Sequence, residues 1–152
     1  DACGPASCRM PYEFLEDVAI ADIAFRALAE SLEGLFREAA EATMNVMVGD
    51  LSTIERNVTR AISAEGEAED LLLVNFLQEL IYLKDAERLL LRPDVIRINR
   101  PGHHWSVSAT ASGEPLNPNK HELKVDVKAV TYHRLRVAQT PEGWEAFVNL
   151  DI

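Results

Sequence analysis

Only two of the 152 residues are cysteines, Cys3 and Cys8, and both stand in a short leader ahead of any periodic pattern. They do not staple a core, and a structural zinc site lacks the further soft ligands it would need at suitable spacing. Free thiols in a frayed tail are the expectation, with a local disulfide as the alternative. Long apolar runs are also missing: Leu71 to Val74 breaks at Asn75, far short of the roughly 18 residues that cross a bilayer as a helix. The amino end lacks the charged and then apolar layout of a secretory signal. A soluble, cytoplasmic protein is expected. Basic residues are scarce, with 15 Lys and Arg against 25 Asp and Glu and a formal net charge of -10. A field of that sign repels phosphate backbones, so strong direct nucleic-acid binding is not expected. A basic protein partner or a hard cation is favoured instead.

Catalytic signatures are absent too. Gly102, Gly113 and Gly143 are isolated, and none opens a helix with the Lys-Ser/Thr of a phosphate-cradling loop. No G-x-S-x-G elbow occurs, and the only cysteines lie in the leader, so covalent catalysis finds no nucleophile. His103-His104 reads as a polar turn before a strand, and His121 and His133 as structural residues flanking a later one.

What remains is an ordinary globular composition, 47% hydrophobic and 26% charged, in a chain long enough for one self-sufficient core. Residues 1–11 read as a disordered leader or an expression remnant, and 12–152 as one domain. Short extended segments at 12–15 and 23–29 suggest an opening hairpin. Ser31 is a helix N-cap, Gly49 a stop, and Leu32, Leu35, Phe36, Ala39, Ala40, Thr43, Met44 and Met47 form the apolar stripe between them. A strand follows at 57–64. Glu67, Glu69 and Asp70 place negative charge at the start of a second, central helix over 71–83. Arg92-Pro93 closes that region, with strands at 94–99 and 104–112. Residues 113–120 read as an exposed loop, 124–139 as one long alternating strand, and 144–152 as its hairpin partner across Pro141-Glu142-Gly143. The fold class is α+β: a single domain in two layers, a largely antiparallel or mixed sheet with two main helices packed on it.

Three acids, Glu16, Asp17 and Asp22, interrupt an otherwise apolar stretch that packing alone does not explain. Farther on, Lys120-His121-Glu122-Leu123-Lys124-Val125-Asp126-Val127-Lys128-Ala129-Val130-Thr131-Tyr132-His133 resembles the hallmark run of the archease family. So does the ending Val148-Asn149-Leu150-Asp151-Ile152. Tyr12 to Glu16, Ala21-Asp22-Ile23, Leu32-Glu33 and Gly113-Glu114-Pro115 occur in the family's order, so the resemblance spans 12–152. One departure stands out: Ala19-Ile20 replaces the family's usual His-Thr before the Ala-Asp pair, and no histidine role is carried over there.

The resemblance implies a non-catalytic activator of the GTP-dependent RtcB-type RNA ligase. That enzyme joins 3′-phosphate or 2′,3′-cyclic phosphate ends to a 5′-hydroxyl in tRNA splicing and RNA repair. Archeases promote guanylylation of the ligase's histidine and its multiple turnover, while GTP and manganese belong to the ligase. The resemblance also implies a divalent cation, calcium or alternatively magnesium or manganese, held by Asp22, Asp151 and the main-chain carboxylate of Ile152. Oxygen donors of this kind suit a hard cation. Asp50 is a weaker metal candidate. Lys128 reads from alternation as an outward-facing lysine. The family match turns it toward the acidic cluster or the ligase, with Asp126 as a weaker partner-facing residue. Two other readings stay open: a metal-dependent phosphoester hydrolase using Asp17, Asp22, Asp126 and Asp151, and a general chaperone-like modulator of RNA-modifying enzymes.

Overall fold

The computed structural model describes residues 11–15 and 22–152. Most of the leader, with Cys3 and Cys8, lies outside the described residues, as do Asp17, Ala19 and Ile20. Strand β1 (Tyr12–Leu15) pairs antiparallel with β2 (Asp22–Ala29), Tyr12 standing opposite Ala27, which is the opening hairpin expected from the alternation. Helix α1 (Leu32–Met47) starts where the sequence places its cap: the Ser31 hydroxyl accepts from the Gly34 N–H at 3.0 Å. The predicted stripe is buried along its length, and Ala42 and Val46 are buried beside it. The reason is that α1 touches β2 on one side and a strand of a second sheet on the other.

The strands divide between two antiparallel sheets within the α+β architecture. One is ordered β1-β2-β7-β6, the other β3-β5-β4. Here β3 is Val58–Gly66, β4 Leu89–Asn99, β5 Trp105–Pro115, β6 Ala129–Thr140 and β7 Gly143–Asp151. Helix α2 (Glu69–Glu87) packs on β3, β4 and β5 and also on β6, which is why Leu72, Leu73, Val74, Phe76, Leu77, Leu80 and Ile81 are buried on most of its faces. Phe36 of α1 meets Phe76 of α2 with ring centroids 5.5 Å apart.

Helix α2 and β3 run a few residues beyond the 71–83 and 57–64 read from sequence, and three boundaries differ in kind. Strand β4 begins at Leu89, directly after α2 ends on the left-handed Arg88 (φ 55°), and runs through Arg92-Pro93 instead of starting beyond it. Proline is admitted because β4 is an edge strand and the register shifts between Pro93 and Val95, so no ladder N–H is missed. Residues 113–115 belong to β5 and not to a loop; Gly113 stands where a Cβ would overlap the Leu90 carbonyl, so its role is close backbone approach. Finally, 124–128 is not strand. Lys128 therefore precedes β6, and residues 122–124 instead run along the end of α1, with Gly49 N–H donating to Glu122 O and Lys124 N–H to Met47 O, each at 2.8 Å.

The β6–β7 hairpin closes with Thr140 opposite Gly143, as the turn residues predict. Gly143 has φ +145°, and a Cβ there would overlap the Ala29 carbonyl. Gly143→Ala is expected to lower unfolding free energy by about 2 kcal/mol, read from urea denaturation; an unchanged midpoint would show that the turn relaxes freely.

Candidate functional site

Antiparallel pairing of β2 with β7 sets Asp22 directly opposite Asp151. On β7 the alternation sends Ala146, Val148 and Leu150 into the core, leaving Asn149 and Asp151 on the other face. The two carboxylates thus share one face of the sheet from opposite ends of the sequence. Like charges directly opposite across a strand pair repel, and among the described residues no lysine or arginine pairs with either. Arg26, farther along the same face of β2, is held elsewhere, by Glu13 at 3.1 Å and Glu145 at 3.4 Å.

Asn149 sits between core and site. It is only 2% exposed, its Nδ2 donates to Asp22 Oδ2 at 3.4 Å, and its Oδ1 has no hydrogen-bond partner. A buried amide oxygen left unpaired costs about 1–3 kcal/mol. Two carboxylates in register, without a basic partner among the described residues, and a nearby amide would offer a cation oxygen donors only, which suits a hard cation and not a soft one. Among the described residues no three side chains drawn from His, Cys, Asp and Glu come together. A cation here must therefore complete its shell with Asn149, main-chain oxygen or water. Ile152 follows Asp151 and packs, half-buried, against the core.

The other residues singled out from sequence divide differently. Lys128 reaches the site through its backbone, its N–H donating to Asp151 O at 2.8 Å, while its side chain is exposed. Asp126 is engaged by Lys84, a lysine of α2 only 5% exposed, whose ammonium also meets Asp85 and the Val127 carbonyl. Burial disfavours the Lys84 charge, but the hydrogen bonds that its ammonium donates to Asp126 and Asp85 outweigh it and raise the pKa. Asp50 caps the single 3-10 turn Leu51–Thr53, its Oδ1 accepting from the Ser52 hydroxyl at 2.6 Å and the Ser52 N–H at 3.1 Å. Those two bonds hold its pKa down.

Sequence reading missed Asn149, Lys84 and Gln78, whose Oε1 accepts the Val130 N–H at 2.5 Å where β6 leaves the strip. Asn149 was findable, since it stands two residues before Asp151 and so on the same strand face. Lys84 gave no signal, because one lysine near the end of an apolar helix usually reaches solvent. We expect Lys84→Met to cost about 1–2 kcal/mol, chiefly through the unpaired Val127 carbonyl. Asp126→Asn should cost less than about 1 kcal/mol, because its carboxylate is largely exposed. Equal losses in chemical denaturation would show that the ion pair, and not the carbonyl, fixes the strip.

The opposite end of the strip is anchored by Glu114 and His121. Asn117 N–H donates to His121 Nδ1 at 2.9 Å, which leaves the proton on Nε2, 2.9 Å from Glu114 Oε2. Glu114 also takes Lys120 Nζ at 2.8 Å and the Glu55 N–H at 2.9 Å. The Lys120 hydrogen bond first, and then the Glu55 N–H, pull its carboxyl down to about 2 against the opposing effect of burial. This network reads as architecture, since it contains no nucleophile and closes on itself.

Comparison with known proteins bears on the family and the fold. The archease protein family model matches residues 12–152. The "Protein archease" of Pyrococcus abyssi is 38% identical over 133 residues, covering 87% of this chain and 93% of that one. That of Methanosarcina mazei is 35% identical over 142 residues, covering 93% and 95%. The solution structure of protein 1598 from Methanobacterium thermoautotrophicum superposes with TM-score 0.80 at 31% identity, covering 93% of this chain and 99% of that one. A crystal structure from Thermotoga maritima, described as an archease and possible chaperone, has the same fold at TM-score 0.57 and 22% identity, covering 92% and 98%. With one family accounting for everything from β1 to the end of β7, and a relative of known structure repeating the fold at nearly full length, this chain belongs to the archease family.

Proposed function

We propose that this chain is a non-catalytic, cytoplasmic activator of a GTP-dependent RtcB-type RNA ligase, promoting the ligase's guanylylation and its multiple turnover. In this reading Asp22 and Asp151, helped by Asn149 Oδ1 and main-chain oxygen at Ile152, hold a divalent cation, calcium first and magnesium or manganese as substitutes. Such an ion would neutralise the carboxylate pair and present positive charge on an acidic surface. Lys128, exposed and tethered through its backbone to Asp151, is the side chain we assign to the ligase contact. Asp126 has a supporting part, keeping the strip in place through Lys84.

The observation that carries this reading is the facing pair Asp22 and Asp151 with no basic partner among the described residues, beside a buried amide oxygen without a hydrogen bond. The test is direct. Ligase guanylylation and repeated RNA joining are measured with and without this protein in calcium, magnesium or manganese. Acceleration is expected; none in any of the three ions ends the proposal. Chelator-sensitive hydrolysis of phosphoesters by the isolated protein would support the enzymatic alternative. Protection of several unrelated enzymes, unaffected by loss of Asp22, would support the chaperone-like one suggested by the Thermotoga maritima description.

A further inference from the structure

Several residues of the run from Lys120 to Thr131 are engaged within the fold: Lys120 and His121 bind Glu114, Asp126 binds Lys84, and Val127 and Val130 are buried. The residues that follow are not. Between Thr131, opposite Asn149, and Arg136, opposite Phe147, residues 132–135 stand against the single Val148. The strand therefore bulges outward, at the outer edge of the four-stranded sheet. Arg134 takes a left-handed conformation, φ 56°, to make this possible. At the bulge Tyr132 is 67% exposed, more than any other large apolar side chain among the described residues. His133, Arg134 and Arg136 are exposed beside it, and Lys128 is exposed at the start of the strand. None of these four has a carboxylate partner among the described residues. Arg136 lies over the Phe147 ring, 5.9 Å from its centroid.

Charges and a bulge on an edge strand also guard against edge-to-edge aggregation. An exposed aromatic ring works against that task, so protection alone does not account for Tyr132. A ring flanked by unneutralised guanidinium groups is the arrangement that receives stacked bases and their phosphates. An acidic peptide would meet the charges and leave the ring unused. We propose that the β6 bulge, Tyr132 to Arg136, is a contact site for single-stranded RNA. Tyr132 stacks on a base, and Arg134 and Arg136 meet the flanking phosphates. The net charge of -10 governs the far field, but beyond about 10 Å it is screened at 0.1 M salt. The contact is local, weak and salt-dependent. It goes beyond the activator reading, because it is made by this chain without the ligase.

The test is fluorescence anisotropy of the full chain with a labelled single-stranded RNA of about ten nucleotides, in chelator and from about 0.1 M salt upward. Binding should weaken with salt at a log–log slope of about -1.4, roughly -0.7 for each of the two phosphates met. Tyr132→Ala should weaken it about tenfold or more, Tyr132→Phe should retain it, and Arg136→Gln should reduce the slope by about 0.7. Circular dichroism confirms the fold of each variant, and Arg134→Gly, which relieves the left-handed residue, supplies a second charge deletion that does not threaten folding. No binding by the native sequence, equal affinity in Tyr132→Ala, or equal preference for duplex overturns the proposal. Weakened ligase association with unchanged RNA affinity also overturns it, in favour of a protein contact. Because the ligase is absent from the binding assay, failure here leaves the activator reading untouched.

Discussion

Asp151→Ala is expected to reduce calcium affinity at least tenfold and to abolish most of the acceleration of the ligase, while leaving the fold intact. Loss of groups that merely orient a metal's ligands typically costs about 10–100-fold in affinity, and Asp151 is assigned here as a ligand. Asp151 is only half-buried, and its strand is fixed by Ala146, Val148 and Leu150 in the core. The sign of the stability change is the sharper diagnostic. In metal-free protein, deleting one of two facing carboxylates removes a repulsion, so Tm should hold or rise. When calcium is added, the native sequence should gain stability by mass action and the variant should not. Calorimetric titration with paired melting curves reads both. Equal calcium stabilisation of the two proteins would remove Asp151 from the site, and Asp22→Ala tests the facing carboxylate in the same way.

Glu114→Gln should produce the largest loss of stability at neutral pH, at most about 3.5 kcal/mol. The figure follows from a carboxyl held at about 2 instead of its ordinary 4.5, at about 1.4 kcal/mol per unit. The sign follows from the direction of the shift. A group with a depressed folded-state pKa contributes fully above its unfolded pKa, and that contribution disappears as pH falls from about 4.5 to about 2. The native protein should therefore lose stability across that window, and the glutamine variant should be flatter there. Urea denaturation followed by fluorescence at a series of pH values would show the two curves converging toward pH 2. Parallel curves would mean that Glu114 does not carry the acid limb.

Much of the architecture is legible from local chemistry. Ser31 announces α1, the acids at the start of α2 suit its dipole, and the alternation of 144–152 with the turn before it specifies a hairpin. Legibility fails where a long-range contact overrides local preference. Pro93 looks like a terminator but is tolerated on an edge with a register shift, and Gly113 looks like a loop residue but is needed where Leu90 comes close. The strip 124–128 alternates as a strand would, yet it is occupied by side-chain anchors and by the end of α1. At the candidate site, periodicity never brings Asp22 and Asp151 together; only the family likeness does so before the strand register is known. Asn149 and Lys84 matter through burial, which a single residue's surroundings in sequence do not reveal.

Because Asp22 is joined to its neighbours on β7 across 127 residues of sequence, the carboxylate pair does not exist until β7 has been synthesised. A nascent protein emerging from the ribosome displays β2 with one flank unclaimed and must shelter that flank until β7 arrives. Such distant closure is slow and leaves intermediates open to misassociation. The facing carboxylates are thus assembled only once β7 has docked on β2, and a polypeptide cut short before β7 lacks the pair.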